Sequence, residues 1–495
     1  MAFLGIDCGT QGTRAIVFDG SGRVISAGAA KHALPVRLPD GGVEQDPADL
    51  WQAFCRACRQ AISGLPFSSD RIIAACLTSQ RSSMLAVDRD GEPLRPLFSW
   101  MDQRRVGSLS PHLPPHLQAL QASAKACWMK QHEPEKYERV HLFLSVSGWL
   151  TWQVCGDFVD CQGSVAGVWP FDIEQLMWSQ DALLYQAYAT PREKLPRVLP
   201  PGAPLGTVTW SAAAQTGLPQ GLRVFAGSGD KMCEMLGAGA TALDQGYITY
   251  GSMAGLEVNV PAPRFAGDGA YWTNPAAVPG LWNLEYALPG GYLMLDWFCR
   301  QFGQAGCEAD LDREAQALPP GSDGLVVAPY WAPNTLANGA RSVVLGMNEG
   351  HSRAHLFRAM LEGTAFALRQ GMEHITTDTA QPLAELLVGG GAAGSDLVMQ
   401  ITADVLGLPA ARVQTTETCA LGAAMLAAVG AGVFENCQDA AAHMAQRQQL
   451  FQPAFERARL YDDIYQQVYL KIYPSLREVY GAFGRVFAAK GEAMT

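Results

Sequence analysis

Charged residues are scarce in this 495-residue chain, at 17 % of the total, while 48 % of the residues are apolar. That balance excludes a largely disordered protein and predicts well-packed interiors, in a chain long enough for two or more domains. Long apolar runs are missing too. Nothing in the sequence reads as a membrane span, and Asp7 interrupts the opening Met1–Ile6 segment where a signal peptide would need to continue. A cytoplasmic location is therefore expected. There is no excess of basic charge: the formal net charge of −11 gives no general attraction to nucleic acid or anionic lipid. A phosphate-bearing ligand would have to be held by backbone donors and a few placed cations. Finally, metal signatures are absent. Cys55 and Cys58 sit in a helix-like stretch with no second pair at zinc-site spacing, and the histidines form no H-E-x-x-H motif. The 12 cysteines are expected to be reduced structural thiols.

What is present is a strand, a glycine turn and a strand, twice over. Phe3–Ile6 reads as a short apolar strand, Asp7-Cys8-Gly9-Thr10-Gln11-Gly12-Thr13 as a turn, and Arg14–Phe18 as the returning strand, followed by Val24–Ala29. Glycine-rich phosphate turns of dinucleotide-binding and P-loop folds lead into a helix, whereas this one leads back into a strand, so both of those folds are disfavoured. A similar unit recurs at Gly246–Tyr250, Gly251–Gly255 and Leu256–Val260. Two such units predict two related domains facing each other, residues 1–245 and 246–495. Helical stretches alternate with the strands; Leu356, Met360, Leu361, Ala365, Leu368, Met372 and Ile375 make one apolar stripe that reads as core. The fold class expected is α/β, with mixed sheets flanked by helices and a cleft between domains.

Several residues at the ends of these strands have the chemistry of a reactive site. In the first turn, Gly9 and Gly12 let backbone amides approach an anion, Thr10 and Thr13 add hydroxyls, Arg14 adds a positive charge, and Asp7 is placed to hold a hydrated magnesium ion. The same segment also reads as an ordinary hairpin turn. Gly251 and Ser252 offer matching donors in the second unit. A third cluster, Gly389-Gly390-Gly391, follows the strand Leu386–Val388 and precedes a helix-like stretch from Ser395 to Leu406. Backbone donors and the helix N-terminus would there meet a nucleotide phosphate, with tight helix-to-strand packing as the alternative. Val224–Gly229 is a buried-looking strand that delivers Asp230, a candidate general base whose other reading is a helix N-cap. Gln80 and Arg81 close one strand and Trp100 and Asp102 another, where polar groups and a flat indole would meet a polyhydroxylated ligand.

Taken together, Gly5-Ile6-Asp7-Cys8-Gly9-Thr10, Trp100-x-Asp102-x-Arg104, Gly229-Asp230, Tyr250-Gly251-Ser252 and Gly389-Gly390-Gly391 through Ala420-Leu421-Gly422-Ala423-Ala424 resemble the FGGY carbohydrate kinases over nearly the whole chain. The resemblance implies two actin-like, ribonuclease H-like domains, ATP as phosphoryl donor, a requirement for Mg2+, and Asp230 as base. It further implies a small-molecule sugar or polyol as acceptor, with a xylulose-like ketose or related polyol expected. An actin-like ATPase or a silent sugar sensor is the alternative. Departures cluster on the acceptor side. Ser82 stands where glycerol kinase-like segments carry glutamate, Arg81-Ser82 where xylulokinases carry Met-His, and Lys231-Met232 follow Asp230 where smaller or amide residues are common. Exposed apolar surface is compatible with a homodimer, but no heptad run specifies one.

Overall fold

The computed structural model describes residues 1–66, 68–251, 253–302, 308–331 and 339–488. Strand β1 (Ala2–Cys8) alternates its apolar side chains between two interiors, which is the period-2 geometry of a strand buried on both faces. Leu4 and Ile6 point into one core and Phe3 into another. β1 pairs antiparallel with β2 (Gly12–Asp19), Asp7 opposite Arg14, and β2 pairs antiparallel with β3 (Val24–Lys31). β4 (Ile72–Ser79), β5 (Pro204–Thr207) and β6 (Arg223–Gly229) complete a six-stranded sheet ordered β5–β6–β4–β1–β2–β3. β4 runs parallel to both β1 and β6.

The second large sheet repeats this plan. β7 (Gln245–Tyr250) pairs antiparallel with β8 (Ala254–Val260), the counterpart of the first hairpin. With β9 (Trp272–Pro275), β10 (Trp282–Leu288), β11 (Glu385–Gly389), β12 (Ala410–Val413) and β13 (Arg447–Phe451), the order is β9–β10–β8–β7–β11–β12–β13. β11 is parallel to both β7 and β12. Each sheet is therefore an antiparallel meander joined to two parallel strands, the mixed α/β arrangement expected.

Five helices matter for the site. α1 (Pro47–Ser63) starts with Pro47 at its first turn and Asp46 accepting the Ala48 N–H, a combination that fixes a helix start. It lays Leu50, Phe54 and Ala57 on Leu4, Ile6 and Val17 of the first sheet. α2 (Asp230–Gly237) springs directly from β6. α3 (Arg353–Thr379) buries the apolar stripe expected of it, packing Phe357, Leu361 and Phe366 against Leu256, Leu284 and Tyr286 of the second sheet. α4 (Asp396–Leu406) is capped by Ser395. α5 (Thr418–Gly430) is apolar all round, a composition suited only to a fully buried helix.

α5 comes from the C-terminal half but covers the other face of the N-terminal sheet. Its Ala420–Ala428 segment shares a core with Phe3, Phe18, Ala74, Phe225 and Leu236. The approach is close: a Cβ on Gly5 would lie 1.8 Å from the Ala420 carbonyl oxygen, and one on Gly422 would lie 2.0 Å from that of Cys233. The Ala420–Ala424 segment is sealed between the lobes. Its small side chains serve backbone-to-backbone approach. Among the described residues no helix is long and apolar enough to cross a membrane, and the cysteines are free thiols.

Candidate active site

Asp230 is the first residue of α2, where it follows Gly229 in extended conformation at the N-cap. It is thus not the cap itself. One carboxylate oxygen is anchored: Oδ1 accepts the Lys231 N–H at 2.9 Å and Arg81 Nε at 3.0 Å. Oδ2 makes no hydrogen bond with any described residue, and 29 % of the side chain is exposed. The Lys231 ammonium, which adjoins it in sequence, turns away to Glu234 at 2.8 Å.

Arg81 leaves β4 and reaches across to the second sheet. Its Nη2 donates to both oxygens of Glu285, at 2.8 and 3.1 Å, while Nε holds Asp230. Burial disfavours the guanidinium charge, but Glu285 and Asp230 outweigh that and raise its pKa. Glu285 lies on β10 with 6 % of its surface exposed, and Asn274 Nδ2 donates to its Oε2 at 3.3 Å. Directly opposite on β8 is Glu257, fully buried; burial and the neighbouring Glu285 hold its carboxyl well above the ordinary carboxylate range. Neither acid was anticipated from sequence. The signal available was a polar set, Asn283 and Glu285, alternating with Leu284, Tyr286 and Leu288 in a strand that otherwise reads as core.

The first turn is organised by side chains more than by free amides. Trp100 Nε1 donates to Thr10 Oγ1 and Thr10 Oγ1 to Gln80 Oε1, each at 2.9 Å. Gln80 Nε2 donates to Gln45 Oε1 at 3.0 Å, and Gln45 Nε2 returns to the Thr10 carbonyl at 2.9 Å. The ring of bonds fixes the Trp100 indole, 44 % exposed, over the turn. Gly9 N–H is engaged within the turn by the Gly12 carbonyl. Thr13 is buried against Cys8 and His32, so its hydroxyl is not presented to an incoming phosphate. Arg14 is exposed and pairs with Glu417 of the other lobe at 3.5 Å.

Asp102 departs most from expectation. Its carboxylate is fully buried, accepting Val43 N–H and Arg104 Nε at 2.9 Å each and pairing with Lys125 at 3.2 Å. The acid faces inward because Arg104 and Lys125 are there to neutralise it, and it locks the Trp100 segment instead of facing a ligand.

Asp7 ends β1. Burial, together with the charges of Asp230 and Glu234, pushes its carboxyl up to about 7, with Arg14 acting in the opposite direction. A carboxylate so crowded by acids is a natural partner for a divalent cation.

On the other lobe, the turn after β7 and the turn after β11 meet. Tyr250, Gly251, Gly391 and Ala392 line a cavity of about 390 Å3 with Tyr292, Leu293, Leu295, Asp296 and Glu308. Gly390 has φ of +86°, and a Cβ there would lie 2.4 Å from the Tyr250 carbonyl oxygen, so glycine is required for the two turns to touch. Ser395 has a different duty from phosphate contact: its Oγ accepts Val398 N–H and donates to Asp312. Ser252 lies outside the described residues.

Two lobes of one topology, with glycine turns aimed between them, define a two-domain actin-like α/β protein. The chain belongs to the FGGY family of carbohydrate kinases: the family's N-terminal domain matches residues 2–237 and its C-terminal domain residues 246–431. It is 29 % identical to a protein described as an uncharacterized sugar kinase of Escherichia coli (strain K12), over 93 % of this chain and 90 % of that one. It is 30 % identical to a glycerol kinase of Thermus brockianus, over 87 % and 90 %. A solved structure of xylulose kinase from Rhodospirillum rubrum has the same fold, with a TM-score of 0.85 and 24 % identity over 97 % of this chain and 100 % of that one. Membership implies a kinase that uses ATP and a small-molecule sugar or polyol.

Proposed function

We propose that this protein transfers the γ-phosphoryl group of ATP to a hydroxyl of a xylulose-like ketose or related polyol, with Asp230 as general base. The observation that carries the reading is the asymmetry of the Asp230 carboxylate, one oxygen anchored by Lys231 N–H and Arg81 and the other open. An anchored carboxylate has a fixed direction, and an open oxygen can take a proton. In the step, the acceptor O–H bond breaks with its proton going to Asp230 Oδ2. The acceptor oxygen bonds to the γ-phosphorus, and the bond from that phosphorus to the bridging oxygen breaks, its electron pair leaving with ADP.

Trp100 supplies an apolar plane for the carbon backbone of the acceptor, and Gln80 and Arg81 form the polar wall behind it. Asp102 holds that wall from within. The cavity lined by Gly251 and Gly391 takes the nucleotide, whose ribose hydroxyls suit Asp296 and Glu308. Residues 1–245 thus carry the acceptor site and the base, and residues 246–495 carry the nucleotide. Asp7 fits magnesium, because that ion takes hard oxygen donors and needs only one or two carboxylates beside phosphates and water. When bound it neutralises phosphate charge.

The test is acceptor-dependent ADP release with ATP and magnesium across polyols, ketoses and aldoses, beside Asp230→Asn. A hit that disappears in the variant supports the reading. Equal hydrolysis with every acceptor, unchanged in the variant, points instead to an ATPase without a phosphoryl acceptor.

A further inference from the structure

We infer that Glu285, delivered from β10 of the opposite lobe, is a positioning residue that keeps Asp230 open by holding Arg81 off its second oxygen. The inference rests on the reading of Asp230 as the proton acceptor.

A guanidinium beside a carboxylate ordinarily pairs with it through two parallel N–H···O bonds, because the fork of nitrogens matches the two oxygens. Arg81 is close enough to do so, with Nε 3.0 Å from Asp230 Oδ1. It makes only that one bond. The nitrogen that would complete the fork, Nη2, is turned to Glu285 and held there by both carboxylate oxygens. Were Glu285 absent, Nη2 would have no acceptor at that position and Asp230 Oδ2 would be the adjacent unpaired one. The base would then be chelated on both oxygens and unable to receive a proton from an acceptor hydroxyl.

The holder is itself fixed. Glu285 lies in the buried interior of a sheet, 6 % exposed, with Asn274 bound to its Oε2 from the neighbouring strand. β10 is paired on both sides, by β9 and β8, so its backbone cannot carry Glu285 toward Asp230 without breaking register. A buried acid costs stability unless a cation compensates it, which makes the Arg81–Glu285 contact mutual. The Arg81 nitrogen left over, Nη1, makes no hydrogen bond with any described residue. It remains a fixed donor for an acceptor oxygen beside the base.

The experiment uses the full chain. Crystal structures without ligand are compared for the parent, Glu285→Ala and Glu285→Met, the methionine filling the volume in case alanine weakens folding. Arg81 is expected to swing onto both oxygens of Asp230 in the variants. In parallel, ADP release with Mg·ATP is measured with water, glycerol or D-xylulose as acceptor. Glu285→Met is expected to lower kcat at least about tenfold, a part of what a general base contributes, with KM for ATP unchanged. In an Arg81→Met background the same change is expected to have no further effect, since there is no guanidinium left to restrain. Arg81 remaining singly bonded to Asp230 in the variant crystals, or an equal loss of kcat with and without Arg81, would overturn the inference. An active Asp230→Asn variant would instead sink the base assignment. An inactive one with Arg81 unmoved in the Glu285 variants removes only the positioning role.

Discussion

The two lobes begin from one design and end with different chemistry. In each, a strand leads through a glycine turn into an antiparallel partner, and a parallel strand on the other side ends near that turn. In the N-terminal lobe the turn carries Asp7 and Arg14 and is tied by Thr10 to Gln80 and Trp100, so its hydroxyls and one of its amides are already engaged. In the C-terminal lobe the described part of the turn is uncharged, and the parallel strand ends in three glycines, leaving a cavity where the other lobe has a side-chain network. The lesson is that the fold supplies two equivalent positions facing one cleft. On the proposed reading, side chains at the end of the parallel strand decide which holds the reacting hydroxyl and which holds the nucleotide.

The strongest way to break this division is Asp230→Asn. Loss of the open oxygen is expected to lower kcat by about 10²-fold or more while nucleotide affinity, measured by calorimetry, stays unchanged. A fall in ATP affinity of the same size would mean that the lobes do not divide the work. Next in size is the seam that joins them. Gly5→Ala places a methyl group 1.8 Å from the Ala420 carbonyl and is expected to cost about 1–3 kcal/mol, read as a lower denaturation midpoint.

A sharper probe of the C-terminal lobe alone is Gly391→Val. A Cβ there meets nothing within 4 Å, so the side chain occupies cavity without straining the fold. KM for ATP is expected to rise about tenfold, equivalent to ~1.4 kcal/mol, with kcat, acceptor KM and thermal midpoint nearly constant. The smallest effect is electrostatic. Burial and Glu285 raise the Glu257 pKa, so the folded chain keeps a proton that the unfolded chain loses. That contribution to stability is full below the ordinary carboxylate range and declines as pH rises toward the folded value. Glu257→Gln removes the decline, so the stability of the variant relative to the parent is expected to rise with pH between pH 5 and pH 8 in denaturant titrations.

Much of the scaffold was legible because it is written locally. The alternation in Phe3–Ile6, the glycines after Asp7 and after Val388, and the apolar stripe of α3 each specify a conformation within a few residues. The acid after the Val224–Gly229 strand was legible for the same reason, since a strand ending in glycine before a helix presents the next side chain at its mouth. By contrast, Asp102 looks in sequence like a cleft residue. Its burial depends on Arg104 two residues away and on Lys125 from a separate helix, a pairing with no local signature. Ser395 likewise serves a helix start, and Thr13 turns inward to His32.

By itself, then, the sequence determined the two strand-turn-strand units, their mixed sheets and the acid poised between them, because periodicity and glycine placement act over short stretches of chain. Only the tertiary structure decided that a helix of small residues would seal one lobe to the other, and that Glu285 would meet an arginine 204 residues away. Those contacts depend on sheet register and on how two lobes face each other, and both are fixed by the packing of the whole chain.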